Sequence, residues 1–153
     1  MQPASSGKSV RKSIGLTAGI VGGIVGGIFG SQAGREAVQH YFRSDASIDR
    51  ELVEAANQIN ATLPMTIDRN TRLDSTAALP GKKFCYLYTI LDLDPPPTAG
   101  ELEAMMKPLM INNYRTAPEM KTMRDQDVTL VYKYRDEAGN LLASFEVTTR
   151  ELE

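Results

Sequence analysis

The chain has 153 residues, a net charge of −2, one cysteine and one histidine. That length holds one core of about 100–150 residues, and the even charge balance offers no basic excess for nucleic acid. Cys85 and His40 alone form no internal disulfide, no multi-cysteine metal site and no paired-histidine site, which argues against an enzyme that works through histidine or zinc and implies no metal and no cofactor.

Residues 1–12 form a basic tail with Lys8, Arg11 and Lys12. From Ser13 to Gly34 the chain carries no charge. As a helix rising about 1.5 Å per residue, that stretch spans roughly 33 Å, the depth of a bilayer core. Gly15, Gly19, Gly23 and Gly27 form one row at spacing four, and Gly22, Gly26, Gly30 and Gly34 form another. The rows merge into one strip without side chains, flanked by Ile14, Val21, Ile24, Val25, Ile28 and Phe29. In water each interior glycine weakens a helix by about 0.5–1 kcal/mol. In lipid the need to satisfy the backbone enforces the helix, and the strip lets another backbone approach closely. The expectation is a transmembrane glycine-zipper helix over 13–34 that packs with its own copy or with a partner helix.

Two other readings of the run stay open. Lys8–Phe29 also fits a signal peptide, with Ser31-Gln32-Ala33 as the cleavage site. A flexible glycine linker fits less well, because the spacing is regular and the filling β-branched. Basic residues before the run favour a cytoplasmic N-terminus and an exported C-terminal domain. The expected location is therefore a bacterial inner membrane, crossed once, with a periplasmic domain.

Residues 35–47 read as a polar helical connector, and 48–153 as a soluble α+β domain. Ile48, Leu52, Val53, Ala56 and Ile59 make a 3.6-period stripe, predicting an amphipathic helix over Ile48–Thr62 ended by Pro64. "MTIDRNTRLDSTAAL" reads as one strand, closed by Pro80-Gly81. "KKFCYLYTILD" alternates Phe84, Tyr86, Tyr88 and Ile90 against Cys85, Leu87 and Thr89, a clear strand. The prolines of "DLDPPPT" break the pattern. "AGELEAMMKPLMINNY" reads as a helix kinked near Pro108, and "PEMKTMRD" as one or two further turns. "VTLVYKYRDEAGNLLASFEVTT" is a hairpin turning at Asp136–Asn140. The order α-β-β-α-β-β predicts an antiparallel sheet.

Tyr86, Tyr88, Tyr132 and Tyr134 share one face if their strands are neighbours. They read as a core face under the helices, with an aromatic platform for a peptide or sugar as the functional alternative. Asp68, Asn70 and Asp74 hint at a calcium loop, but Arg72 holds the fifth position, and no glycine or final glutamate stands where one is needed. Asp92 and Asp94 at a strand end are a weak acid/base pair.

"LPMTIDRNTRLDSTAALPGKKFCYLYTI" together with "INNYRTAPEMKTMRDQDVTLVYKYRDEAGNLLASFEVT" resembles a group of small bacterial membrane-anchored or exported α+β proteins of uncharacterised function. The resemblance implies no catalytic residue. Many members carry two cysteines where this chain has Arg115 and the neighbourhood of Leu152, so the implied disulfide is missing here. The expected function is a non-catalytic interaction or assembly protein, meeting a protein partner through its soluble domain and a bilayer through its anchor. The alternatives are a membrane-active oligomer regulated by that domain, or a secreted domain released by cleavage.

Overall fold

Residues 45–153 are described by the structure, a computed structural model. The basic tail, the helix-packing glycines Gly15 to Gly34 and all but the end of the polar connector lie outside the described residues.

Helix α1 runs Asp45–Asn60, beginning and ending slightly earlier than its apolar stripe predicts. Ile48, Leu52, Ala55, Ala56 and Ile59 are buried along one face, while Val53 lies off the stripe and is 47% exposed. Each fully buried Leu or Ile contributes about 1.5–3 kcal/mol. Polar clamps at both ends fix the helix on the sheet. Asp49 accepts the main-chain N–H of Lys82 at 2.7 Å and of Gly81 at 3.2 Å. That turn depends on Gly81, whose φ of +83° is natural only to glycine. At the other end Asn60 donates to the Thr76 carbonyl at 2.8 Å and accepts the Thr76 N–H at 2.7 Å.

The segment predicted as one strand is a tight hairpin, β1 Met65–Asp68 and β2 Thr71–Leu79. Asp68 Oδ1 accepts the Asn70 N–H at 2.8 Å, the local bond by which an aspartate initiates a turn. Strand β3 is Lys83–Ile90. Helix α2, Ala99–Thr116, starts at a Thr98–Glu101 capping box. Pro108 lies inside it without ending it; the residue is exposed, so water can serve the carbonyl that loses its partner. A 3-10 turn at Pro118–Met120 and the short helix α3, Lys121–Asp125, lead into β4 Thr129–Arg135 and β5 Leu141–Val147.

The α+β class stands, but the sheet is mixed rather than antiparallel. Its five strands lie in chain order, and β3 and β4 run parallel while every other pair is antiparallel. The cause is α2: a helix spanning the sheet between β3 and β4 returns the chain to the same end, so the next strand starts in the same direction.

The register fixes the two faces. Leu73, Phe84, Tyr86, Tyr88, Leu130, Tyr132, Tyr134, Phe145 and Val147 point toward the helices and form the core with α1, α2 and Met120 and Met123. Arg72, Cys85, Leu87, Thr89, Val131, Lys133, Arg135, Ser144 and Glu146 point the other way, to a face that no helix of the described residues covers.

Candidate interaction surface

The four tyrosines singled out in the sequence do come together. Parallel pairing sets Tyr86 beside Tyr132 and Tyr88 beside Tyr134, with ring centroids 5.4 and 5.1 Å apart, and Phe145 stacks on Tyr132 at 5.6 Å. Each tyrosine is at most 1% exposed. They form the core face under the helices, not an open platform.

Their hydroxyls are buried without a hydrogen-bond partner, as are Asp68 Oδ2 and Asn113 Nδ2. Burial pushes the phenol pKa of all four upward, and neighbouring tyrosines add to the shift. Tyr114, on α2, differs. Its hydroxyl donates to the Val128 carbonyl at 2.7 Å and pins α2 to the segment entering β4. Arg124 reinforces the joint by donating to the Tyr114 and Ala117 carbonyls at 2.6 and 2.8 Å.

The open face carries a charged network that the sequence did not reveal. Asp74 alternates from buried Leu73 onto this face beside Arg72, and the register shift that follows Leu73 leaves Ser75, paired with Leu87, on the same face. Its carboxylate accepts from Arg72 Nε at 2.5 Å, from Arg135 Nη2 at 3.0 Å and from the Thr89 hydroxyl. Arg135 Nε in turn donates to Thr89 Oγ1 at 3.1 Å. The Asp74 side chain is 10% exposed, the two arginines more than a third. Desolvation works to raise the Asp74 pKa, but the hydrogen bonds from Thr89, Arg72 and Arg135 outweigh it and hold the carboxyl below its ordinary value. Further along the face, Lys83 on β3 reaches across β4 to Glu146 on β5 at 2.7 Å. Cys85 lies buried in the same face, where desolvation raises its thiol pKa against the opposing charge of Lys133.

Asp74 is an ionised, fully engaged acceptor and a poor proton acceptor; Cys85 and the tyrosines are held in their neutral forms. Asp92 and Asp94 sit in the loop after β3, where the Asp92 N–H donates to Glu137 at 3.4 Å. The small cleft between α1 and α3, lined by Ile48, Leu52, Met123 and Val128, is a shallow apolar dimple. The arrangement presents a patterned sheet face with two partly exposed guanidiniums, and two sheet edges, β1 and β5.

A family profile described as a domain of unknown function, DUF8479, matches residues 46–143. No curated protein matches the chain in sequence. Solved structures resemble it in fold. A candidate secreted protein of Pseudomonas aeruginosa superposes with a TM-score of 0.60 at 9% identity, over 73% of this chain and 100% of its own. The pilotin EpsS of the Vibrio vulnificus type 2 secretion system gives 0.60 at 11% identity, over 71% and 94%. The type II secretion pilotin AspS of Vibrio cholerae gives 0.55 at 11% identity, over 70% and 94%.

Proposed function

We propose that this chain, which belongs to the DUF8479 family, is a non-catalytic protein-interaction module that works outside the bacterial cytoplasm on a membrane anchor. The observation that carries the reading is the engagement of the interior groups: both Asp74 oxygens are taken by Arg72, Arg135 and Thr89, burial raises the pKa of the Cys85 thiol and of the tyrosine phenols, and no helix of the described residues covers the second sheet face. The fold shared with two secretion-system pilotins and a candidate secreted protein supports a partner-binding role and export.

The anchor belongs to the proposal. Among the described residues no helix is long and apolar enough to cross a membrane, and the uncharged run Ser13–Gly34 lies outside them. In this reading that run is a single-pass helix whose glycine strip packs against its own copy or a partner helix. Replacing Gly23, Gly26 and Gly27 by leucine is expected to weaken association and leave insertion intact.

Protease access in intact spheroplasts, with a C-terminal tag and alkaline extraction, tests the placement. A full-length, extraction-resistant chain whose domain is digested from outside supports the anchored module. A soluble product beginning near Gly34 removes the anchor and leaves an exported binding domain. A domain protected until the cells are lysed overturns export.

A further inference from the structure

We propose that the outer edge of β5 is a self-association surface: two chains pair Leu141–Val147 antiparallel about a two-fold axis through Ser144, joining two five-stranded sheets into one. The proposal deepens the interaction reading above and rests on it.

The two edges of the sheet are built differently. Edge strand β1 has four residues, follows Pro64 directly and loses its register between Thr66 and Asp68. It is short, proline-led and broken, the usual devices against edge-to-edge pairing. Edge strand β5 has seven residues, or about 24 Å of extended chain. It contains no proline and no lysine. Its register shift falls at the Leu141 end and leaves Ala143–Val147 regular.

The one charge on β5 does not guard the edge. Lys83, two strands inward, draws Glu146 back across the sheet at 2.7 Å. Among the described residues, the hydrogen bonds made by the main chain of Leu141–Val147 are those of the β4 ladder. Leu141, at 61% exposure, stands at the end of this edge. A long, unblunted edge of this kind is a template for another strand.

The strand complements itself. With Ser144 on the axis, Ala143 faces Phe145 of the second copy on the helix-covered side, small against large. Ser144 meets its own equivalent on the open side, and Leu141, which the register shift sets opposite Arg135 on that side, lies beyond the regular pairs. The two Glu146 carboxylates lie four residues apart along the strands, about 14 Å, and each keeps its own Lys83. No like charges oppose each other, so the occupant that fits is a second copy of this chain.

Site-specific disulfide formation tests it in the full-length chain. Cys85→Ala removes the native thiol, and a single cysteine is placed by Ser144→Cys or, as control, by Ala77→Cys; both positions are exposed and both are on the open side of the sheet. A disulfide needs Cα atoms about 4.4–6.8 Å apart, a distance met on the axis and nowhere near residue 77. The expected result under mild oxidation with copper–phenanthroline is a covalent dimer at S144C at least about ten-fold faster than at A77C. In the native background, Ser144→Lys opposes two ammonium groups on the axis and shifts the chain toward monomer. Equal rates at 144 and 77 show association through the N-terminal run alone and overturn the proposal. An unreactive S144C does the same, whether a segment of the same chain or a different protein holds the edge. Capture of a partner through another surface then leaves the interaction reading standing without this edge.

Discussion

The helix-covered and open faces of the sheet handle their polar atoms in opposite ways. Under the helices, four tyrosine hydroxyls are buried without partners, inside a face held by close apolar packing. On the open side every oxygen of Asp74 is taken, by two guanidiniums and a hydroxyl. The first face derives its stability from area removed from water and tolerates orphan hydroxyls within it. The second has little area to bury and is ordered by directed bonds. Area-driven faces fail through cavities; bond-driven faces fail through charge.

The largest contrast lies in truncation. Phe84 is fully buried and meets Tyr86 edge-on at 5.2 Å. Phe84→Ala is expected to cost about 3–5 kcal/mol in urea-induced unfolding, from lost transfer energy and the cavity left behind. Leu87→Ala, on the open face, costs less than about 1 kcal/mol. Similar losses at both sites would mean that the open face is covered by another part of the chain.

The charged network gives the next effect. Asp74→Asn keeps the shape but leaves Arg72 and Arg135 without their countercharge; at partly exposed sites the cost is about 1–2 kcal/mol. Its pH dependence has a fixed sign. The folded Asp74 carboxyl titrates below the unfolded value of 3.8, so its stabilisation is complete above that value and is lost as pH falls through the folded pKa. The gap between native and Asp74→Asn chains should therefore be constant from pH 7 to about pH 5 and close below pH 4. A constant gap down to pH 2 would locate the stabilisation in packing instead.

The same contrast explains what could be read in the sequence. Periodicity reports burial, and so α1, β3 and the β4–β5 hairpin with its Asp136–Asn140 turn are legible from alternating or 3.6-spaced apolar residues. It does not report direction. Strand β4 looks the same whether parallel or antiparallel to β3, and only the path of α2 decides. Without that pairing nothing places Thr89 beside Arg135, 46 residues away, and the Asp74 network is invisible. The hairpin inside "MTIDRNTRLDSTAAL" was masked by the absence of glycine; its signal was Asp68 two residues before Asn70. Leu141 belongs to the alternating set of β5, but the shift at Tyr134/Arg135 leaves it exposed at the strand end.

The smallest effect separates two kinds of buried tyrosine within one core. Tyr114→Phe deletes a hydroxyl bonded to the Val128 carbonyl and strands that carbonyl, at a cost of about 0.5–1.5 kcal/mol. Tyr132→Phe deletes a hydroxyl with no partner and keeps the ring stacked between Tyr86 and Phe145. Its expected effect on the unfolding midpoint is zero or stabilising, because the buried phenol gains nothing in the fold to offset the hydration it loses. The same holds for Tyr86 and Tyr88, and the gains should add only partly, since these rings touch. Equal destabilisation by Tyr132→Phe and Tyr114→Phe would mean that internal water bridges the sheet tyrosines. The helix-covered face would then be ordered by directed bonds as well, and the division between the two faces would fail at its centre.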